Sequence, residues 1–289
     1  MAGIKTNGGK KVFMNRMYKT TPDYTIPSQF KVGTGSTAPN VADTDLESSI
    51  PIGDGTTLDD GSNTFTGSNG GDNSTDNIII YKPGAGLSDN TAQNLIANDT
   101  NVIKTWTIAA VTPAVVDKET AAWLYIADDT ALDKISTVEI KLGSDSSNYY
   151  SKLFTVATGW NWLQFGVLNT NTETGTVGSP VEYYEIDITT NNTTDEFAAG
   201  DVVVDILRQW EDTDELKDFK ADSLALDEIN HTAQYQCELL TGEAVGFDLT
   251  ELGTFNEDGT PIMDGRDTYD AKSKSSADEF KYTITDGLE

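Results

Sequence analysis

His231 is the only histidine and Cys237 the only cysteine in 289 residues, so imidazole or thiolate chemistry would rest on single side chains. His231 lies in Asp227-Glu-Ile-Asn-His-Thr232, which reads as a turn between two strands and not as a catalytic base. Around Cys237 the chain alternates, with Tyr235, Cys237 and Leu239 on one face and Gln234, Gln236 and Glu238 on the other. The thiol therefore reads as a small core residue of a strand. A single cysteine also excludes an internal disulfide and a thiolate zinc site. The 47 acidic residues place carboxylate pairs at a glycosidase separation through abundance alone, so they carry no signal for glycoside hydrolysis. Gly33-Thr-Gly35 lacks the following lysine and the helix that a phosphate-binding loop needs. The chain reads as a non-enzyme.

Two binding chemistries are better supplied. Trp160, Trp162, Tyr149 and Tyr150 have the flat rings that stack on sugars, provided that they are exposed. Trp160 and Trp162 share one strand face and read as core, whereas Tyr149 and Tyr150 point to opposite faces, so one of them is expected to be exposed. Glycan contact is thus expected at Tyr149 or Tyr150, with Ser146, Ser147 and Asn148 supplying polar groups. Hard oxygen ligands for calcium also abound, including Asp54, Asp59, Asp60, Asp72, Asp145 and Asp201, but none shows EF-hand spacing. No other cofactor is expected.

The net charge of −28 repels nucleic acid. No run is long and apolar enough for a membrane span, and the N-terminus lacks the apolar stretch of a signal peptide, so the chain reads as cytosolic at synthesis. Lys5, Lys10, Lys11, Arg16 and Lys19 precede the first acid, Asp23. Residues 1–22 thus read as a basic arm, ordered on contact, with Lys5, Lys10, Lys11 and Arg16 as candidates for docking onto an acidic neighbour.

The elements that would position these groups are strands. Residues 53–76 are low in complexity and poor in apolar side chains, which reads as a linker. From 77 to 210, short strands alternate. Ile78–Tyr81 is an apolar run, Val138, Ile140 and Leu142 face one way against Glu139 and Lys141, and Tyr184, Ile186 and Ile188 repeat the pattern. Val202, Val204 and Ile206 close the set, and residues 88–97 read as a helical turn or two. The spacing argues for an antiparallel sandwich. Further strands are expected at 224–229, 234–240, 246–252 and 280–284. Asp258-Gly259 turns a hairpin that sets Phe255 opposite Ile262.

Two resemblances organise these pieces. Phe30-Lys-Val-Gly-Thr-Gly-Ser-Thr-Ala-Pro-Asn-Val-Ala-Asp-Thr-Asp-Leu46 and Gly246-Phe-Asp-Leu-Thr-Glu-Leu-Gly-Thr-Phe-Asn-Glu-Asp-Gly-Thr-Pro-Ile-Met263 resemble segments of tailed-bacteriophage virion proteins of tail-fibre, collar and baseplate type. Val138–Tyr150, Gly159-Trp-Asn-Trp-Leu163 and Asp201–Leu207 are similar to jelly-roll modules of carbohydrate-binding type. The second resemblance implies a structural Ca²⁺ site, for which Asp145 and Asp201 are candidates.

Together they imply an all-β chain. A discontinuous base domain (23–52 with 217–289) would hold an inserted antiparallel jelly roll (77–210). The implied function is structural, in a virion assembled in a bacterial cytoplasm. The implied partners are other virion proteins, further copies of the chain and a host-surface glycan, with no nucleic acid and no membrane. A stand-alone carbohydrate-recognition module is the alternative, and a capsule depolymerase a third.

Overall fold

Long strands dominate the chain, and among the described residues all the pairings between strands are antiparallel. The structure, a computed structural model, describes residues 3–53, 55–76, 91–98, 101–230 and 232–287. The expected strand Ile78–Tyr81 and the turn at His231 lie outside the described residues. The chain is all-β, with three short α-helices among the described residues, at Asn7–Tyr18, Asp129–Leu132 and Asp212–Glu215. No helix among the described residues is long and apolar enough to cross a membrane. The chain divides into two compact units, one of residues 1–54 and 212–289 and the other of residues 55–211.

The unit of residues 55–211 is a β-sandwich. One sheet includes Ile103–Ala114, Ile135–Asp145, Asn148–Phe154 and Val181–Thr190, and the other includes Glu119–Ile126, Gly159–Val167 and Val202–Trp210. One apolar core joins their inner faces, with Ile108, Val138, Ile140, Leu142, Ile186 and Ile188 from the first meeting Ala122, Leu124, Leu163, Phe165, Val202 and Val204 from the second. Burying these side chains is worth about 1.5–3 kcal/mol for each large one. The alternation read from sequence holds until Asp205, where a bulge intervenes. Ile206 there adopts a φ of 43°, and Leu207 takes the inward place.

Residues 53–76 depart from the expected linker. Thr56–Asp59 pairs with Val202–Trp210, Thr66–Ser68 pairs with Ile103–Ala114, and Thr75–Asp76 pairs with Gln93–Asn94. Two isolated apolar residues suffice to tie the segment down, since Leu58 and Phe65 are both in the core. Gln93–Asn94 is likewise strand where a helical turn was expected.

The other unit is built from both chain ends. Its five-stranded sheet runs in the order Ile4–Lys5, Met263–Ser273, Asp248–Asn256, Pro27–Gly33, Lys217–Asp218. Val32 stands opposite Leu252 and Phe30 opposite Thr254, so strands more than two hundred residues apart are neighbours. A second sheet joins Ala225–Asp227, Thr232–Leu239 and Phe280–Gly287, and Cys237 is buried there. Burial pushes the Cys237 thiol well up, as expected of a core residue. The hairpin forms at 257–260, but a bulge at Thr254/Phe255 sets Phe255 opposite Met263 instead of Ile262.

Residues 3–22 are not a loose arm. Thr6 caps the helix Asn7–Tyr18 by accepting from the Gly9 amide at 3.1 Å. Gly9 lies so close to the Met263–Ser273 strand that a Cβ there would stand 2.2 Å from the Asp264 carbonyl oxygen. Glycine is what lets the helix approach that strand.

Candidate functional site

Residues 33–48 and 251–266 meet at one carboxylate. Glu251, in Leu249-Thr-Glu-Leu-Gly253, is fully buried, and its Oε1 accepts from the amides of Gly35 (3.0 Å) and Ser48 (2.9 Å). Its Oε2 accepts from the Glu47 amide at 3.1 Å and from Arg266 Nη2 at 2.7 Å. Arg266 also reaches Asp43 at 2.8 Å. Burial pulls the guanidinium down, but Asp43 and Glu251 outweigh it and leave it raised. A Cβ on Gly35 would come within 2.5 Å of the same carboxylate, so glycine makes room for it. The Gly33-Thr-Gly35 turn is therefore a carboxylate cradle and not a phosphate loop. A second buried pair, Lys31 with Glu215 at 3.0 Å, ties Pro27–Gly33 to the segment after residue 211. The sequence marks Phe255, beside the Asp258-Gly259 turn, but not Glu251 or Arg266. Nothing local marks a buried charge whose partners lie far away in the chain.

The candidate assembly residues divide. Lys5 is spent internally, bridging Asp264 at 3.2 Å and Asp286 at 2.8 Å. Burial lowers its pKa and the two carboxylates more than restore it, leaving it raised. It sits beside a cavity of about 210 Å³ lined also by Tyr235, Tyr269 and Tyr282. Lys10, Lys11 and Arg16 are exposed on the helix. Lys11 lies 4.9 Å from the centre of the Tyr24 ring, and Arg16 donates to the Tyr24 carbonyl at 2.8 Å. The outward helix face adds Phe13, Met14, Met17 and Tyr18, the last three 52%, 60% and 72% exposed.

In the sandwich unit Tyr150 is buried in the core, which removes it as a stacking ring. Tyr149 is half-buried, with the Lys141 ammonium 5.1 Å from its ring centre. Asn148 is engaged in its turn, donating to Asp145 at 3.0 Å while accepting from the Thr176 amide at 2.9 Å. Asp145 also accepts from the Ser147 amide, and these contacts hold its carboxyl below the usual range. Asp201 accepts from the Ala198 amide at 3.0 Å and from Lys134 at 3.4 Å. Among the described residues no group of three or more His, Cys, Asp or Glu side chains is arranged to hold a metal.

Beside Tyr149, Lys141 bridges Glu185 and Asp187 at 2.6 Å each, while Tyr183 bonds to Glu185. Burial draws the ammonium down and the contacts with Asp187 and Glu185 drive it well up.

Trp160 and Trp162 are a correction. Leu163 and Phe165 are the inward side chains of Gly159–Val167, so the two indoles lie on the opposite face and are half-buried. Trp160 packs against Tyr125 with ring centres 5.2 Å apart, and Trp162 against Trp123 at 4.8 Å. Both faces of this strand are apolar, so alternation alone does not tell which is the core.

No family model matches the chain, and no curated protein matches it. Among solved structures, the crystal structure of an agarase is similar at 12% identity and a TM-score of 0.32. The match covers 56% of this chain and 26% of the agarase chain, so it spans about a quarter of that protein's length.

Proposed function

We propose that this chain is a non-enzymatic structural component of a tailed-phage virion, a tail, baseplate, neck or fibre protein present in several copies. The unit made of both chain ends is the anchoring part, and the sandwich is the part that touches a host-surface glycan. One observation carries the reading. Segment 30–46 meets the buried Glu251 of segment 246–263 through the Gly35 amide and meets the neighbouring Arg266 through Asp43, so the two segments, whose residues resemble virion proteins, behave as one structural signature. The exposed basic and apolar helix face supports it, because repeated copies multiply weak surface contacts without a deep pocket. The test is mass spectrometry and immunogold labelling of density-purified particles from a lysate in which the gene is expressed. The chain should co-purify with the particles in multiple copies. Recovery solely from the particle-free supernatant contradicts the assignment.

A second reading, a stand-alone carbohydrate-recognition module, is favoured by the half-buried rings Tyr125 and Trp160, which lie together on the sheet face away from the core. A glycan array probed with the full chain separates the two. Strong binding without particle incorporation supports this module, and incorporation supports the virion role.

A further inference from the structure

We propose that the chain associates with copies of itself head to tail, the outward face of the helix Asn7–Tyr18 in one copy seating in a groove of the next. The helix holds to its own unit through Gly8, Gly9 and Val12 and turns Lys10, Phe13, Met14, Met17 and Tyr18 outward. Those positions follow i, i+3, i+4 and i+7 spacing, the pattern with which a helix fills a groove. Two methionines make the face adaptable. The helix contains no acidic residue in a chain that has 47 of them.

The matching surface lies in the same unit. A groove of about 450 Å³ is lined by Ile26, Phe219 and Leu224 and carries Asp218, Asp222 and Glu257. Ile26 and Leu224 are 51% and 58% exposed, an unusual burden of apolar surface beside exposed carboxylates. Lys220, the cation on the groove wall among the described residues, turns to Glu238 at 3.2 Å. Apolar floor meets apolar helix face, and groove acids meet helix lysines. The complement of each patch is on the chain itself, so the occupant is a second copy. A contact between two different patches is heterologous, and it closes into a ring or continues as a filament. This specifies the copy-to-copy contact that the virion reading requires, yet it is testable in the purified protein whether or not the chain enters particles.

The experiment is sedimentation velocity of the full chain across a wide concentration range. The mass should rise with concentration and fall as salt is added. Lys10→Glu with Lys11→Glu, and separately Asp218→Lys with Asp222→Lys, should each weaken self-association at least about tenfold, which is 1.4 kcal/mol. An equimolar mixture of the two charge-reversed proteins should associate again, since each then offers the other a complementary patch. Met14→Asp with Met17→Asp should abolish association, with circular dichroism melting curves confirming that every variant is folded. A monomer at all concentrations overturns the proposal. So does association that survives both reversals, or a mixture that stays monomeric.

Discussion

Both units bury charge, Lys104, Asp205 and Arg208 in the sandwich and Lys31, Glu251 and Arg266 in the unit made of the chain ends, but they differ in how far along the chain the buried partners lie. The sandwich of residues 55–211 joins its sheets through a continuous apolar core of alternating Val, Ile and Leu. The unit made of the chain ends buries full charges where its distant segments meet: Glu251 against Arg266, and Lys31 against Glu215. Apolar burial is non-directional and tolerates exchange among similar side chains. A buried ion pair adds little net stability over a well-packed apolar pair, but it penalises every arrangement that separates its partners. The difference suggests that the sandwich is specified by its local pattern and the end-built unit by pairing between particular distant residues.

All five tryptophans lie in the sandwich, at positions 106, 123, 160, 162 and 210, so indole fluorescence reports that unit. Amide exchange at Gly35 and Ser48, both bonded to Glu251, reports the other. The largest expected effect is from Arg266→Met, which strands Glu251 as an uncompensated buried charge at a cost of about 3–5 kcal/mol. Exchange at the two amides should accelerate while the fluorescence transition in urea stays in place. Adding Glu251→Leu should recover stability, though not the amide protection. Next comes Ile186→Ala, which opens a cavity in the sandwich core and should cost about 2–5 kcal/mol, with the opposite signature. A fluorescence midpoint left unchanged by Ile186→Ala would break the comparison.

Thr6→Ala should cost the end-built unit about 1–2 kcal/mol, read as fraying of the helix Asn7–Tyr18 in amide exchange. The smallest effect is acid sensitivity. Arg266, aided by the Asn40 amide, holds Asp43 below its ordinary 3.8, and the Thr37 amide and hydroxyl hold Glu47 below 4.5. Folded values below the unfolded ones mean that this stabilisation is present above those pH values and is lost as pH falls through the folded values. Both carboxylates are near the surface, so the effect is modest and salt-screened. Protection of the Gly35 and Ser48 amides, corrected for their intrinsic exchange, should fall on acidification below about pH 4. Arg266→Met should remove the part due to Asp43.

What the sequence discloses follows the local alternation of side chains and not the unit. Val138, Ile140, Leu142, Tyr184, Ile186 and Ile188 announce their inward face because lysines, acids and threonines separate them, and all are buried. Trp160 and Trp162 mislead because Leu163 and Phe165 make the other face of their strand equally apolar. Residues 53–76 hide two core side chains, Leu58 and Phe65, in a polar stretch whose strands are only two to four residues long. The helix Asn7–Tyr18 was concealed by Gly8 and Gly9, poor helix formers kept for close approach to the neighbouring strand. Glu251 and Arg266 have no local signature. Their role exists only once residues 33–48 lie beside residues 251–266.

That juxtaposition is tested most directly by placing cysteines at Val32 and Leu252, which stand opposite each other on adjacent antiparallel strands. Such pairs have Cα atoms about 4.5–5.5 Å apart, within reach of a disulfide. Mild oxidation of Val32→Cys/Leu252→Cys should link the two peptides in a non-reducing digest, with Cys237 left unpaired in the core. A digest in which residues 32 and 252 stay unlinked, or in which either pairs elsewhere, would contradict a unit knit from both ends of the chain.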